Sequence, residues 1–297
     1  MGDFLNRIVD LTRRDIVARK LRCPMEQLQS QVRSGPKNNR SLIGAVHQPG
    51  MSVIAEVKRA SPSRGDIRPD IDVASTVAAY ERAGAKAVSV LTEKHFFKGS
   101  LADLETALSA CGLPILRKDF VVDPYQVWEA AARGASAILL IAAALDPLEL
   151  QNLYGEASRA GLECLVEVHN KDELAAALDA GASLVGINNR DLKTFRVSLK
   201  TTENLMGYIP ATVAVVSESG IGGREDVQRL AAAGVDAVLV GEVLSASRDP
   251  EAKLKGLLGQ APAKIQTART GAFLKKAADN TVKRPSQRNS GDASKKP

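Results

Sequence analysis

The stretch that decides the fold is "PILRKDFVVDPYQVWEAAARGASAILLIAA", residues 114–143. Its two apolar ends, residues 114–120 and 135–142, have the length and composition of buried strands. Between them, "DPYQVWEAAARG" has the Ala-rich amphipathic pattern of a helix, and Gly134 follows it as a C-terminal cap. A strand, a helix and a second strand in this order predict parallel strands joined by a helical crossover.

The same alternation extends along most of the chain. The strand-like runs occupy residues 51–57, 86–92, 114–120, 135–142, 162–168, 183–188, 212–218 and 236–241. A short hinge recurs before four of them as "AGAKAVSV", "RGASAILL", "AGASLVGI" and "AGVDAVLV". Eight strands, each leading to a helix or a helix-containing loop, predict an α/β fold of the closed (β/α)8 TIM barrel type. A doubly wound open sheet is the alternative, but "EVKRASPSRG" after the first strand lacks the glycine-rich turn of that fold.

Two further segments flank the predicted barrel at residues 49–260. Residues 1–48 predict an N-terminal helical extension over the barrel mouth, with a helix from Asp3 to about Gln31. Residues 261–297 hold nine Lys and Arg against two Asp, which more than accounts for the net charge of +6. Because this tail is poor in apolar residues, we expect it to be disordered. Binding of nucleic acid or another polyanion through the tail is the alternative interpretation.

Other features of the sequence narrow the class of protein. The three cysteines and three histidines show no metal-ligand spacing, so we expect no metal site. The N-terminus resembles neither a signal peptide nor a transit peptide, and no apolar run is long enough to cross a membrane. Aromatic residues make up only 4% of the chain, which argues against an aromatic nucleic-acid platform. We therefore expect a cytoplasmic protein without a membrane partner.

Polar residues cluster at the carboxyl ends of five predicted strands. They are Glu56 with Lys58, Lys118, Glu167, Asn188 with Arg190, and Glu218 with Ser219. In a (β/α)8 barrel this end carries the active site. Glu56 and Lys58 are two residues apart, so their side chains share one face of the first strand. Burying two charged side chains is costly unless they form an ion pair with each other or take part in the chemistry of the site.

Two glycine-containing loops predict what the cavity binds. "SESGIGGRED" follows the seventh strand, and "LVGEVLSAS" supplies Gly241 and the backbone of Glu242 after the eighth. Barrels often bind phosphate through backbone N–H groups at this place in the strand order. We therefore expect a phosphorylated small molecule as the substrate.

Seven motifs make a family resemblance specific. They are "VIAEVKRASPSRG", "LTEKHFFKGS", the 114–143 stretch, "LVEVHN", "GINNRDLKTF", "SESGI" and "LVGE". In this order they resemble indole-3-glycerol phosphate synthase from about Met1 to Leu258. The resemblance implies a cofactor-free barrel enzyme of tryptophan biosynthesis. Such an enzyme converts 1-(2-carboxyphenylamino)-1-deoxyribulose 5-phosphate into indole-3-glycerol phosphate, releasing CO2 and water.

The resemblance also implies catalytic roles. Lys118 is implied as the general acid of ring closure and Glu167 as the base. Lys58 would hold the substrate carboxylate and serve the dehydration, with Glu56 keeping the ammonium groups charged and oriented. Asn188 would position the substrate, and Glu218 would be a further polar member of the site.

The remaining implied positions bind the substrate. Phosphate and polar groups would meet Arg190, Ser219, Gly220, Gly241 and Glu242, the last of these through its backbone N–H alone. The anthranilate ring would lie in an apolar slot of Pro62, Phe97, Phe120 and Leu192, with Ser61 opening the loop over the site.

Two other functions stay open at this point. One is another phosphate-binding barrel enzyme, such as phosphoribosylanthranilate isomerase, although that isomerisation calls for a Cys/Asp pair. The other is a polyanion-binding protein acting through its basic tail. For the favoured enzyme we expect a monomer or weak oligomer, and association with other tryptophan-pathway enzymes is left open.

Overall fold

The computed structural model describes residues 3–35 and 38–259, and its centre is a closed ring of eight parallel strands. In chain order the strands are β1 (Ser52–Val57), β2 (Ala60–Ser61), β3 (Gly65–Asp66), β4 (Ala87–Leu91), β5 (Ile115–Lys118), β6 (Ala137–Ile141), β7 (Glu163–Val168), β8 (Leu184–Asn188), β9 (Ala214–Glu218) and β10 (Ala237–Val240). The ring runs β1-β10-β9-β8-β7-β6-β5-β4 and closes by pairing of β4 with β1. The predicted TIM barrel is confirmed, and closure excludes the open sheet. Each predicted strand lies within two residues of an observed one.

Twelve helices surround or extend the ring within the described ranges. They are α1 (Asp3–Arg22), α2 (Met25–Ser34), α3 (Leu42–Val46), α4 (Val73–Arg82), α5 (Leu101–Ala110), α6 (Pro124–Ala132), α7 (Pro147–Arg159), α8 (Lys171–Asp179), α9 (Lys200–Met206), α10 (Arg224–Ala232), α11 (Glu242–Ser245) and α12 (Pro250–Leu258). Asp72, Ser100, Asp123, Asp146, Asn170 and Asp249 cap helix N-termini with their side chains. These caps satisfy backbone N–H groups that have no partner inside the helix. None of the described helices has the length and apolar composition needed to cross a membrane.

Alternation along the strands separates two apolar layers. In β1, Val53, Ala55 and Val57 belong to the layer between strands and helices, whereas Ile54 belongs to the cluster inside the ring. The interior cluster is largely small or aliphatic, for example Ala87, Leu116 and Leu165. Because side chains alternate, Glu56, Lys118 and Glu167 follow these interior residues at the carboxyl ends of their strands.

The N-terminal extension contains three helices rather than one. The predicted helix from Asp3 to about Gln31 is broken after Arg22, and Pro24 stands at the N-cap of α2. A proline disfavours the helical conformation of the residue before it, which explains the break. Leu42 and Val46 of α3 pack into the interior cluster with residues near the amino ends of the strands. This places α3 at the opposite end of the ring from the strand-end charges.

A buried arginine on the outer side of β5 connects the barrel to α1. Arg117 is fully buried, and its guanidinium lies 3.0 Å from both Asp119 and Glu129. Glu129, in α6, also pairs with Arg19 of α1 at 2.6 Å. The Tyr125 hydroxyl donates a hydrogen bond to the Arg19 carbonyl at 3.1 Å. These contacts fix α1 against α6 and so determine where its first turn lies. The predicted tail, residues 261–297, lies outside the described residues.

Candidate active site

A cavity of about 550 Å³ opens at the carboxyl ends of the strands. Every residue that the sequence predicts for the site lines it: Glu56, Lys58, Ser61, Pro62, Phe97, Lys118, Phe120, Glu167, Asn188, Arg190, Leu192, Glu218, Ser219, Gly220, Gly241 and Glu242. The volume is in the range of small-molecule sites. The strand order thus brings together residues that are far apart in sequence.

The side chain of Lys118 reaches across the interior of the ring. Its Nζ lies 3.0 Å from Oε2 of Glu167 and 3.0 Å from Oε2 of Glu218. Lys118 belongs to β5 and Glu218 to β9, which stand on opposite sides of the ring. Both glutamates are buried. The lysine is therefore a central cation shared by two carboxylates.

This arrangement shifts the pKa values of the two glutamates in opposite directions. Burial alone would raise the pKa of Glu167, but the charges of Lys118 and His169, together with hydrogen bonds from Asn188 and Lys118, lower it to about 2. Burial raises the pKa of Glu218 to about 7 despite Lys118, and repulsion from Glu167 adds to the rise. Burial alone would lower the pKa of Lys118, but the surrounding glutamates raise it above its ordinary value. Two neighbouring carboxyls with separated pKa values can serve as base and acid in one site.

Glu56 and Lys58 form a second pair beside the first. Nζ of Lys58 lies 2.6 Å from Oε1 of Glu56, and the Glu56 side chain is only 1% exposed. The hydroxyl of Ser89 lies 3.5 Å from the other carboxylate oxygen. Lys58 is 19% exposed, so its ammonium faces the cavity and can meet a substrate anion.

Two glycines make room for these carboxylates. A Cβ at Gly186 would lie 2.2 Å from Oε1 of Glu218, and a Cβ at Gly241 would lie 2.2 Å from Oε1 of Glu56. Real Cβ atoms do not approach other heavy atoms so closely. Sequence reasoning assigned Gly241 to phosphate and did not single out Gly186. In the structure, both positions also leave space for a buried carboxylate on a neighbouring strand.

The apolar side of the cavity is assembled from loops and α1. The rings of Phe97 and Phe120 lie 6.4 Å apart. Glu93 fixes the loop that carries Phe97, because its carboxylate accepts backbone N–H groups of Phe97 at 3.0 Å and of Phe96 at 2.7 Å. Phe4 of α1 stacks edge-on against Phe96 at 5.0 Å and lines the cavity.

The loop after β8 completes this cover. Phe195 lies 5.7 Å from Phe4, in an edge-on arrangement, and lines the cavity as well. Sequence reasoning missed Phe4 and Phe195, because no strand pattern shows which loop residues the first helix will meet.

The predicted phosphate end has a constrained backbone. Ser219 and Gly220 both have positive φ angles, 65° and 81°. Asn189 supports this turn by donating its side-chain amide to the carbonyls of Glu218 at 2.9 Å and Ser219 at 3.1 Å. Asn189 also accepts a hydrogen bond from the Thr202 hydroxyl at 2.9 Å. The turn is therefore held in shape before any ligand binds.

Glu242 uses its side chain as well as its backbone. Its carboxylate lies 2.8 Å from Nη2 of Arg64 and 3.8 Å from Nη2 of Arg190. We expected only the backbone N–H of this residue to matter, so the ion pairs are a difference from the prediction. Arg64, which was not predicted, stands in the turn between β2 and β3 and also lines the cavity. The residues found here define a (β/α)8 barrel whose strand-end cavity is lined by ion-paired lysine and glutamate side chains.

Comparison with known proteins identifies the family. The sequence model of indole-3-glycerol phosphate synthase matches residues 5–257. The enzyme of that name from Dehalococcoides mccartyi is 49% identical over 258 residues, covering 86% of this chain and all of the relative. The one from Koribacter versatilis is 46% identical over 260 residues, covering 87% of this chain and all of the relative. The chain belongs to the indole-3-glycerol phosphate synthase family. The predicted carboxy-lyase activity in tryptophan biosynthesis is thereby confirmed over the isomerase alternative.

Similarity to solved structures shows the fold alone. 3-Hexulose-6-phosphate synthase from Salmonella typhimurium superposes with a TM-score of 0.56 at 13% identity, covering 70% of this chain and 96% of that one. Thiamine phosphate pyrophosphorylase from Pyrococcus furiosus gives 0.53 at 18% identity, with coverage of 70% and 93%.

Proposed function

We propose that the residues of this cavity carry out the reaction of the family, each in the role that the sequence predicts. The observation that carries the proposal is the position of Lys118, 3.0 Å from both Glu167 and Glu218 in a buried site. The substrate is 1-(2-carboxyphenylamino)-1-deoxyribulose 5-phosphate. Its phosphate lies at Ser219, Gly220, Gly241 and Arg190, and its aromatic ring lies between Phe97 and Phe120. The biosynthetic family supports a cytoplasmic location.

Ring closure is the first chemical step. The ring carbon that bears the carboxylate attacks the ketone carbon, and the ketone oxygen takes a proton from the Lys118 ammonium. Lys58 holds the substrate carboxylate near the new bond until CO2 leaves and the ring electrons are restored. Asn188 positions the substrate, and Glu56 orients the Lys58 ammonium through their 2.6 Å contact.

Dehydration completes the indole. Lys58 gives a proton to the hydroxyl, which leaves as water, while Glu167 removes a proton from the adjacent methylene carbon. Glu167 is a weak base as long as the Lys118 ammonium pairs with it. After ring closure Lys118 is neutral, so the pKa of Glu167 rises toward the operating pH, where a general base is most effective. Glu167 can then return its proton to the Lys118 amine, and Lys58 takes up a proton from solvent, which is the one proton that the loss of CO2 consumes overall.

Substitution of Lys118 tests the proposal. Lys118→Met keeps the length of the side chain but has no proton to give, so we expect kcat to fall by about 10²- to 10⁴-fold with a small change in KM. Formation of the indole product is followed by its fluorescence, with no metal or cofactor added. Lys200→Met, which changes an exposed lysine at the start of α9, is the matched control. Turnover of Lys118→Met equal to that of the control would remove Lys118 from the mechanism.

A further inference from the structure

His169 lies directly behind the candidate base Glu167 and has no role in the mechanism above. Glu167 belongs to β7, and His169 is the first residue after this strand. Nε2 of His169 lies 3.6 Å from Oε1 of Glu167. This nitrogen is buried and, among the residues that the structure describes, has no hydrogen-bond partner. Buried polar atoms are nearly always paired, so its orientation needs an explanation.

Glu173, in the first turn of α8, holds the other side of the imidazole. Its Oε2 lies 2.9 Å from Nδ1 of His169 and accepts the His169 backbone N–H at 2.7 Å. Asn170 fixes the same carboxylate by donating to its other oxygen at 2.6 Å. An ionised carboxylate only accepts hydrogen bonds, so Nδ1 carries a hydrogen. Nε2, which faces Glu167, is then the nitrogen that is protonated in the charged form of the ring and bare in the neutral form.

The groups around His169 favour its charged form. Burial alone would lower the pKa of the imidazole, but the contact with Glu173 and the charges of Glu167 and Glu218 raise it. These carboxylates come from β7, α8 and β9, and the ammonium of Lys118 in β5 contacts two of them, Glu167 and Glu218. Glu167 therefore lies between the Lys118 ammonium, which contacts Oε2, and the His169 ring, which faces Oε1.

The mechanism explains why a second cation is useful. When Lys118 gives its proton to the ketone, Glu167 loses the cation beside it while Glu218 remains nearby. A buried carboxylate without a counter-ion takes up a proton readily. A protonated Glu167 cannot serve as the base of the later step.

We propose that His169, held by Glu173, is a positioning residue that keeps Glu167 ionised while Lys118 lacks its proton. The imidazolium is formed before the substrate binds, and it gives up no proton during the cycle. The inference rests on the proposed function of Lys118 and Glu167. Its effect is present while His169 is charged and is lost as pH rises through the raised pKa of the imidazole.

The test compares kcat and KM of the wild type and His169→Gln across neutral and alkaline pH. Glutamine is neutral and similar in reach, so at neutral pH we expect kcat to fall by about 10- to 100-fold, with little change in KM. The ratio of the two kcat values should shrink toward one as pH rises, because the wild type loses its imidazolium. Taking the ratio removes most of the influence of groups that titrate in both proteins, such as Glu218.

Two further variants make the outcome specific. Glu173→Gln keeps a hydrogen-bond acceptor for His169 but removes the negative charge. In this background the effect of His169→Gln on kcat should therefore disappear at a lower pH than it does in the wild type. His47→Gln changes an exposed histidine after α3 and should behave like wild type. A kcat ratio that stays constant with pH, or a His169→Gln enzyme as active as wild type, would overturn the role of His169. Full activity of Glu167→Gln would instead overturn the proposed function itself.

Discussion

Gly186→Ala is the substitution that tests most directly how the cavity is built. The added methyl group would lie 2.2 Å from Oε1 of Glu218 and 3.2 Å from Cδ1 of Leu165. Ordinary contact is about 3.5 Å, so the Glu218 carboxylate must move by roughly 1 Å. An exposed side chain would do so at little cost, but Glu218 is buried and lies 3.0 Å from Lys118. A shift of this size breaks that charge-assisted contact.

The expected magnitudes follow from the lost contact. A buried hydrogen bond to a charged group contributes about 1.5 to 3 kcal/mol, so the free energy of unfolding should fall by about that amount. A misplacement of about 1 Å in a catalytic group can cost on the order of 10²-fold in rate, so we expect a similar loss of kcat. Indole fluorescence measures turnover, and urea denaturation measures stability.

Gly155→Ala provides the matched control for this change. A Cβ at Gly155, within α7, would meet nothing within 4 Å. The same chemical substitution there should leave turnover unchanged and raise stability by about 0.5 to 1 kcal/mol, because alanine favours the helix. If Gly186→Ala kept wild-type kcat and stability, the packing of Glu218 against β8 would not constrain the site as argued.

Two further predictions concern the phosphate end and the tail. Glu242→Ser removes a carboxylate 3.8 Å from Arg190, so inhibition by inorganic phosphate should strengthen by about 2- to 5-fold with little change in kcat, and weaker inhibition would show that Glu242 instead organises the two arginines. Deletion of residues 262–297 should leave kcat and KM unchanged, because no described site residue lies beyond Val243. Loss of turnover after that deletion would assign the basic tail a part in catalysis.

The sequence was informative about the barrel for a clear physical reason. Parallel strands covered by helices are continuously apolar, so their limits stand out against the Ala-rich helices between them. Their carboxyl ends converge, so polar residues such as Lys118 and Glu167 could be predicted to meet without any knowledge of distances. The register of neighbouring strands then determines which side chains are in contact, and the sequence of a single strand does not specify that register.

Other features depend on contacts that no local pattern records. The need for glycine at 186 arises chiefly because Glu218 of the next strand occupies that space. Phe4 reaches the cavity because Arg19 and Glu129 fix α1 from the outer side of the barrel. The break of the first helix at Pro24, in contrast, follows a local rule and could have been predicted from the residue itself.

Because of the position of Lys118, its protonation state also affects how strongly two opposite strands of the barrel are held together. A single ammonium ties β5 to β9 across the ring, and that tie exists only while the nitrogen is charged. In the proposed mechanism Lys118 gives its proton to the ketone, and the ion pair between the two walls of the barrel is then lost until Glu167 reprotonates the lysine. Replacing this cluster with well-packed apolar side chains could strengthen the mouth of the barrel, but the tie could then no longer be released in step with the reaction.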